Sequence, residues 1–468
     1  MWNRRSFLMA AGSSAIAAAW QREQRRNVLF IAADDLNHRF STYGEKIVPT
    51  PNLDAIASRG VRFDRAYCQF PLCSPSRTSV MTGLSPDATG VYDLQKHFRS
   101  SRPEAVTLGQ AFQKNGYFVA RAGKIYHYGN PGQIGTDGLD DAPTWMKRVN
   151  PAGVDKTKEE QLIRNVTPQR KGLGSSLSFL ASDAGDSEHT DGMVAAEIVQ
   201  MMEQHRNDAW FLGAGFYKPH CPYVAPKKYF DMVPKDRLKL VPFEEWEMSI
   251  APKPAYWTNP ANWGVSEKDR LDAMQAYFAT ILFLDANIGR LLDALKRTGQ
   301  QDRTTIVFWS DHGYGLGEHG QWMKQTVFEH SARSPLLMCG AGVKARGKGC
   351  GRTVEFLDIY PTLADLCGLK DVPRGLHGTS LRPLLDNPAA PWDRPAITQV
   401  HRGKLRGYSI RTGQHRYSMW DEGREGEELY DYASDPRELK NLARDAAASG
   451  LKAKLRTRLD AIIKTRQV

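Results

Sequence analysis

Short apolar segments recur along the chain, and stretches with helical periodicity separate them. The first segment, Val28–Ala33 (VLFIAA), is uniformly apolar and of strand length, so it predicts a strand that is buried on both faces. Similar segments predict further strands at Tyr117–Ala120, Trp210–Gly215, Thr305–Trp309 and Leu336–Met338.

Helices are predicted from apolar residues that repeat every three or four positions. The longest is Leu271–Leu295, and Ser266 with Asp269 resembles a capping box ahead of it. Val354–Cys367 and Ala446–Thr465 are also predicted helices. Leu53–Ser58 is predicted as a short helix closed by Arg59-Gly60, and Pro75–Thr82 is predicted because a proline suits a first helical turn. Strands that alternate with helices predict an α/β fold, in which a large and mostly parallel sheet is sandwiched by helices.

The C-terminal part of the chain has a different pattern. A polar, proline-containing stretch at Asn387–Arg394 predicts a boundary, and Tyr408–Arg411 with Arg416–Trp420 predicts a hairpin beyond it. We therefore expect a main domain over residues 27–386 and a small α+β subdomain over residues 387–468. Residues 140–190 and 225–265 are polar, proline-rich or aromatic-rich, and are predicted to be long inserted loops at a substrate rim.

Residues 1–26 are predicted to be an export signal with a short linker. Arg4-Arg5 precedes a short apolar run, Phe7–Trp20, that contains three consecutive alanines. The run is shorter than the roughly 20 apolar residues that span a bilayer, so no stable membrane insertion is expected. The arginine pair resembles a twin-arginine signal and predicts a periplasmic or extracellular protein. An ordinary secretory signal or an uncleaved anchor is the alternative.

Composition narrows the function classes. Lys and Arg number 63 against 52 for Asp and Glu, and the formal net charge of +11 suits an anionic partner. No basic run with interleaved aromatic residues is present, so a nucleic-acid partner is not expected. The six cysteines form no CxxC pattern, and a mean hydropathy of −0.50 argues against a polytopic membrane protein.

Charged or titratable residues follow four predicted strands at their carboxyl ends. They are Asp34-Asp35, Lys124 with His127, Lys218-Pro219-His220, and Asp311-His312. Ligands of open α/β sheets bind beyond these strand ends, so we expect one convergent site. Asp34, Asp35 and Asp311 offer three carboxylates to a hard cation such as Ca²⁺ or Mg²⁺, whereas zinc prefers more His or Cys. The alternative for the adjacent pair is a helix cap.

The segment Pro71–Ser79 (PLCSPSRTS) predicts an oxyanion site. Cys73 lies just before a predicted helix start, where free N–H groups and the positive end of the dipole favour a tetrahedral oxyanion. Arg77 lies about one turn later, and its planar guanidinium matches sulfate or phosphate. The alternative is a buried small Cys with a surface Arg.

This segment resembles the C-x-P-x-R signature of type I, formylglycine-dependent sulfatases of the alkaline-phosphatase superfamily. The resemblance extends over nearly all of residues 27–468 through TSVMTG and the segments NVLFIAADDL, GKIYH, KPHCPY, SDHGYGLGEHGQWMK and ELYDYASDPRELKNLA. It is greatest for the iduronate-2-sulfatase-like branch, because Pro222-Tyr223 follows the KPH segment and because DHG is followed by LGEHG-x-W-x-K.

The resemblance implies a mechanism and a set of site residues. A maturation enzyme would convert Cys73 to formylglycine, whose hydrate attacks sulfur and then re-forms the aldehyde as sulfate leaves. One Ca²⁺ would be held by Asp34, Asp35, modified Cys73, Asp311 and His312. Arg77 would orient the hydrate, Lys124 and Lys324 would bind sulfate oxygens, His127 would assist deprotonation, and His220 would protonate the leaving alcohol.

Export, basic charge and the resemblance together favour a sulfated carbohydrate, with 2-O-sulfated uronic acids as the specific hypothesis. His401, Arg402 and Arg406 are candidates for binding a glycan carboxylate. Three alternatives stay open: a choline-sulfatase-like enzyme with an aromatic cation pocket, a phosphodiesterase or phosphonate hydrolase on the same scaffold, and a non-catalytic glycan-binding protein. The presence of Cys73, Arg77, His220 and Lys324 together argues against the last.

Overall fold

The computed structural model describes residues 25–467. In chain order its strands are β1 (Asn27–Asp34), β2 (Gly60–Tyr67), β3 (Phe118–Gly123), β4 (Lys147–Val149), β5 (Arg164–Asn165), β6 (Ser178–Ser182), β7 (Trp210–Pro219), β8 (Tyr223–Pro226), β9 (Thr304–Ser310), β10 (Gly315–Leu316), β11 (Trp322–Met323), β12 (Leu336–Gly340), β13 (Lys348–Glu355), β14 (Ala396–Arg402), β15 (Leu405–Arg411), β16 (His415–Trp420) and β17 (Glu427–Asp431). The α-helices are Pro51–Ser58, Cys73–Thr82, Pro86–Thr89, Leu108–Lys114, Val154–Thr157, Thr190–Gln204, Lys227–Asp231, Glu267–Arg297, Glu329–Ala332, Ile359–Cys367, Arg382–Asp386 and Ser449–Thr465.

Eight strands form one large sheet in the order β13-β2-β12-β9-β1-β7-β3-β4. Within the described chain, only β12 runs antiparallel to its neighbours in this sheet. The central strand β1 alternates between two hydrophobic cores: Leu29 and Ile31 face one, and Val28 and Phe30 face the other. Helices cover both cores, which confirms the predicted α/β sandwich.

The helix Glu267–Arg297 covers one face of the sheet and extends the predicted Leu271–Leu295 at both ends. The Ser266 hydroxyl accepts a hydrogen bond from the backbone N–H of Asp269 at 3.2 Å, so the predicted N-cap is confirmed. The Asp269 carboxylate accepts a bond from the same hydroxyl, where a full capping box would direct it to the Ser266 backbone N–H.

Three predictions of local structure were wrong in part. The helix predicted at Val354–Cys367 begins only at Ile359, because β13 continues to Glu355 and the Asp358 carboxylate accepts the Glu355 N–H at 2.8 Å to make a turn. The helix predicted from Pro75 begins at Cys73. The stretches 140–190 and 225–265 are not plain loops, since they hold short helices and β4 to β6, and β5, β6 and β8 form a small sheet of their own.

The C-terminal subdomain is an antiparallel sheet, β14-β15-β16-β17, covered by the helix Ser449–Thr465. Ile410 and Tyr417 on the sheet pack in one cluster with Leu455 and Leu459 of the helix. The predicted hairpin is confirmed: β15 pairs with β16, and Thr412 N–H donates to the His415 carbonyl at 2.8 Å. The flanking strands β14 and β17 were not predicted.

A buried ionic network joins the subdomain to the main domain. Arg416 of β16 contacts the carboxylate of Glu329 in the main domain, the carboxylate of Glu438 at 2.9 Å, and the Val327 carbonyl at 2.5 Å. Burial opposes ionisation of Glu329, but the charges of Arg411 and Arg416 lower its pKa to about 2. The contact between the subdomain and the main domain is therefore stabilised by buried groups of opposite charge that neutralise each other.

The predicted export signal lies outside the described residues, apart from Arg25 and Arg26. Between residues 25 and 467, no helix has both the length and the apolar character that a membrane span requires.

The Glu329→Gln variant tests the interdomain network. It removes the carboxylate that faces Arg411 and Arg416 while it keeps the shape of the side chain. We expect the free energy of unfolding to fall by about 2 kcal/mol, since hydrogen bonds to charged groups contribute this much. Urea denaturation near neutral pH measures the change, and Glu425→Gln, which alters an exposed residue of the subdomain, is the control. An equal effect of the two variants would contradict the role of the network.

The difference in the free energy of unfolding between the wild type and Glu329→Gln should depend on pH. The pKa of Glu329 is about 2 in the folded state, below its ordinary value of 4.5. Its contribution to stability is therefore complete above about 4.5 and is lost as the pH falls towards about 2.

Candidate active site

The carboxyl ends of four adjacent strands, β9, β1, β7 and β3, meet at one edge of the large sheet. The candidate residues predicted from the sequence follow these strands, and all of them are buried. They are Asp311 and His312 after β9, Asp34 and Asp35 at the end of β1, His220 after β7, and Lys124 with His127 after β3. The predicted convergence of the strand ends is thus present in the structure.

Cys73 lies at the centre of this group, at the first turn of the helix Cys73–Thr82. Its Sγ is 3.4 Å from Asp34 Oδ1, 3.4 Å from Lys324 Nζ and 3.5 Å from His312 Nε2. Burial raises the pKa of the thiol well above its ordinary value, and the Asp34 carboxylate acts in the same direction. The unmodified thiol is therefore held in its neutral form, which makes it a poor nucleophile.

Arg77 ties three strand ends together and is completely buried. Its Nε donates to Asp311 Oδ2 at 2.8 Å, and its two other nitrogens donate to the carbonyls of Ala33 (3.0 Å) and Lys124 (2.6 Å). The surface-arginine alternative is excluded. The guanidinium fixes the strand ends and one carboxylate of the site.

The other two carboxylates are paired with lysines. Lys124 Nζ contacts Asp34, and Lys324 Nζ lies 2.5 Å from Asp35 Oδ1. Burial alone would raise the pKa of Asp34, but Lys124 and its other cationic neighbours hold it well below its ordinary value. Burial raises the pKa of Asp35 to about 7 against the opposing charge of Lys324.

Asp35 also has an unusual backbone and an orphan oxygen. Its φ of 66° lies in the left-handed region, which is uncommon for a residue other than glycine. The Tyr277 hydroxyl donates to the Asp35 carbonyl at 2.8 Å, and the Asp35 N–H donates to Asp311 Oδ1 at 3.2 Å. Asp35 Oδ2 is buried without a hydrogen-bond partner, so this oxygen is available to a cation.

His312 completes an acceptor-rich group. Its Nδ1 lies 2.9 Å from the Gly313 carbonyl, so Nδ1 carries the proton and Nε2 is an acceptor. Nε2 is 3.4 Å from Asp35 Oδ1 and 3.6 Å from Asp311 Oδ2, and burial lowers the pKa of His312 to about 4. Two overlapping groups have donor atoms within 4.8 Å of one another: Asp34, Asp35, Cys73 and His220, and Asp34, Cys73, Asp311 and His312.

Two further histidines face this region. His220 Nε2 is 3.7 Å from Asp35 Oδ2, and its Nδ1 contacts the Cys221 carbonyl and lies 3.2 Å from the side-chain nitrogen of Asn130. His127 is buried, and its Nδ1 has no hydrogen-bond partner. Burial lowers the pKa of both histidines well below the ordinary value, and the charge of Lys324 or Lys124 adds to the effect. Both rings are therefore neutral at neutral pH.

Some residues that shape the site were not predicted. Asn130 orients His220, Tyr277 holds the Asp35 backbone, and the Ser76 hydroxyl contacts the Asp311 carbonyl. Ser76 lies inside the C-x-P-x-R signature, so its place in the sequence could have indicated a role at the site. Tyr277 carried no signal beyond its place among the apolar positions of a long helix.

The three candidates for a carboxylate partner lie in the C-terminal subdomain, outside the cluster around Cys73. His401 and Arg402 are half-buried at the end of β14, and Arg406 is exposed on β15. Arg402 is bonded to the carbonyl of Gln325, the residue that follows Lys324. Arg402 therefore makes a direct contact with the loop that bears Lys324.

Comparison with known proteins identifies the family. Residues 26–369 match the family model described as "Sulfatase", and residues 317–465 match that of the "N-sulphoglucosamine sulphohydrolase, C-terminal" region. The chain belongs to the sulfatase family. Sulfatases are sulfuric ester hydrolases, so this protein is an enzyme that cleaves sulfate esters.

Individual relatives of this sulfatase extend over most of its length. Iduronate 2-sulfatase of Mus musculus is 29% identical, over 97% of this chain and 98% of its own. Choline-sulfatase of Rhizobium meliloti is 32% identical, over 89% of this chain and 82% of its own. A solved structure in complex with its substrate D-glucosamine-2-N,6-O-disulfate has a TM-score of 0.75 at 20% identity, over 95% of this chain and 98% of that one.

Proposed function

We propose that this sulfatase hydrolyses a sulfate ester on a carbohydrate, in the manner of an iduronate-2-sulfatase, with Cys73 in its formylglycine form. The observation that carries the proposal is the position of Cys73 Sγ, at the first turn of a buried helix and 3.4 Å from both Lys324 Nζ and Asp34 Oδ1. Similarity to iduronate 2-sulfatase over nearly the whole of both chains supports the substrate class.

Formylglycine at position 73 supplies a hydroxyl that attacks sulfur and a release step that returns the aldehyde. Lys124 contacts Asp34 and Lys324 contacts Asp35, and Lys324 Nζ is 3.4 Å from Cys73 Sγ, so in this proposal both lysines bind sulfate oxygens and compensate their charge. Arg77 keeps the strand ends in place around position 73. Arg77 therefore orients the groups around position 73, and the two lysines compensate negative charge.

Two histidines move protons in this proposal. His220 protonates the leaving oxygen of the sugar, and Asn130 holds its ring from the other side. His127, whose Nδ1 has no partner, assists deprotonation at position 73. Both rings are neutral at rest, so His220 first takes up a proton from substrate or water and then donates it to the leaving oxygen.

The acidic cluster fits one Ca²⁺. Asp35 Oδ2 is buried without a hydrogen-bond partner, and the acceptor His312 Nε2 lies close to the carboxylates of Asp35 and Asp311. Carboxylate oxygens are the ligands that a hard cation prefers. Asp34, Asp35, Asp311, His312 and the modified residue 73 would hold the ion. When bound, it polarises the sulfate group and stabilises negative charge.

Two parts of the proposal concern the maturation and the export of the protein. We infer that a formylglycine-generating enzyme modifies Cys73, and that residues 1–26 direct export by the twin-arginine route to the periplasm or the exterior. The Arg4-Arg5 pair and the apolar run after it support the export route.

Peptide mass spectrometry on protein from the native host tests the modification. The tryptic peptide Ala66–Arg77 contains both Cys68 and Cys73. We expect an aldehyde in place of the thiol at Cys73 and an unmodified thiol at Cys68, which serves as the internal control. A thiol at both positions would overturn the formylglycine mechanism, since the buried thiol of Cys73 is held neutral.

The His220→Gln variant tests the proton donor. A sugar alcohol needs a proton to leave, whereas 4-nitrophenolate does not, so the loss depends on the leaving group. We expect kcat to fall by about 10²- to 10⁴-fold on a sulfated sugar and by less than about tenfold on 4-nitrophenyl sulfate. His415→Gln, in the hairpin of the subdomain, is the matched control. Equal losses on both substrates would rule out a proton-donor role for His220.

Calcium binding is tested without reference to activity. At a Ca²⁺ concentration 100 times its Kd, the free energy of unfolding should rise by about 2.7 kcal/mol relative to chelated protein. In Asp35→Asn this rise should be lost, and in Asp302→Asn, which alters an exposed carboxylate, it should be kept. Chemical denaturation with and without Ca²⁺ measures both. An unchanged response of Asp35→Asn would contradict the site.

A further inference from the structure

Arg402 lies where the C-terminal subdomain meets the loop that carries Lys324. It ends strand β14, and its Nη2 donates to the carbonyl of Gln325. The N–H of Gln325 in turn donates to the Pro71 carbonyl at 3.1 Å, two residues before Cys73. Arg402 is therefore connected through one residue to both segments that supply the reacting groups.

This arginine has no acidic partner. It donates hydrogen bonds to the carbonyls of Gln325 and His401, its Nε is buried without an acceptor, and no carboxylate of residues 25–467 forms an ion pair with it. Burial lowers its pKa to about 10, and no neighbouring negative charge offsets this. A half-buried cation without a counter-charge is costly, so its presence calls for an anionic ligand.

Two neighbouring arginines show the contrast. Arg411 and Arg416, on the adjoining strands of the same small sheet, are both paired with the carboxylate of Glu329. These two arginines stabilise the contact between the domains. Arg402 has no such partner, so a purely structural ion pair does not account for it.

Aromatic rings fix the arginine in place. Its guanidinium carbon lies 5.0 Å from the centre of the Trp257 ring, and the neighbouring His401 stacks on Tyr92 at 4.1 Å. Arg402, His401, Trp257 and Gln325 are each partly exposed, and we call these four residues the Arg402 subsite. A preorganised guanidinium loses little conformational entropy when it binds a carboxylate.

The subsite selects the charge of its ligand. The guanidinium lies over one face of the Trp257 ring, and its positive charge repels a second cation. Burial and Arg406 lower the pKa of His401 to about 4, so this ring is neutral and Arg402 supplies the charge. A planar carboxylate matches the donor fork of arginine.

We propose that Arg402 binds the carboxylate of a uronic acid in the substrate and so determines specificity for acidic glycans. This inference rests on the proposed function, since it names the part of the sulfated carbohydrate that the enzyme recognises. It separates the enzyme from sulfatases that act on neutral or cationic sulfate esters.

The test compares one substrate with and without its carboxylate. The probes are a 2-O-sulfated iduronate disaccharide and the same disaccharide with its carboxyl group reduced to an alcohol. In the wild type, kcat/KM should be roughly 10- to 100-fold higher for the carboxylate form, because a hydrogen-bonded charge pair contributes this much. In Arg402→Gln the ratio should fall to about one, mainly through KM, because the contact is made on binding.

Two further variants separate recognition from structure. Arg402→Lys keeps the charge without the fork and should restore part of the ratio. Arg444→Gln makes the same change at an exposed arginine of the subdomain and should leave the ratio at its wild-type value. Mass spectrometry of the peptide Ala66–Arg77 measures the converted fraction of each sample, and turnover of 4-nitrophenyl sulfate, which has no carboxylate, measures any effect of the variant on the reaction itself.

The outcomes distinguish the two levels of the argument. If Arg402→Gln slows both disaccharides equally, or neither, the inference is overturned. If the wild type cleaves 4-nitrophenyl sulfate but does not prefer the carboxylate form, the inference fails and the sulfatase activity stands. If wild-type protein with converted Cys73 cleaves no sulfate ester at all, the proposed function fails and the inference falls with it.

Discussion

The site depends on the ion pairs and hydrogen bonds that the buried guanidinium of Arg77 makes. Three carboxylates, those of Asp34, Asp35 and Asp311, lie together out of contact with water, and such a group is unstable without nearby positive charge. Arg77 pairs with Asp311 and Asp34 and also binds the backbone carbonyls at the ends of β1 and β3. It thereby compensates charge and sets the spacing of the strand ends in one step. The lysines at positions 124 and 324 balance what remains.

Much of this arrangement was predictable because it follows from backbone topology. Parallel strands must end at the same edge, so the polar residues after Val28–Ala33 and Thr305–Trp309 had to lie near each other. The helix after Cys73 was predictable because Pro75 suits a first helical turn, and helix geometry then places Arg77 about one turn after Cys73. The core strands were recognisable because burial on both faces leaves an uninterrupted apolar run.

Other features depend on tertiary contacts that leave no local pattern. Strand β2 reads Gly60–Tyr67 with alternating polar residues, and β13 contains two glycines, so neither has the composition of a central strand. The turn at Asp358 interrupts an apolar stretch that has helical spacing throughout. The role of Tyr277 appears only when its helix is packed against the end of β1, because its hydroxyl reaches across to a backbone carbonyl there.

The loop that bears Lys324 is held from the far end of the chain. Arg402 binds the carbonyl of Gln325, and Arg416 binds that of Val327, although these arginines come 77 and 89 residues later in the sequence. During synthesis, the lysine therefore leaves the ribosome well before the strands that fix its position. The position of this lysine therefore depends on contacts made by the C-terminal sheet, and a chain that stops short of that sheet contains the signature without those contacts.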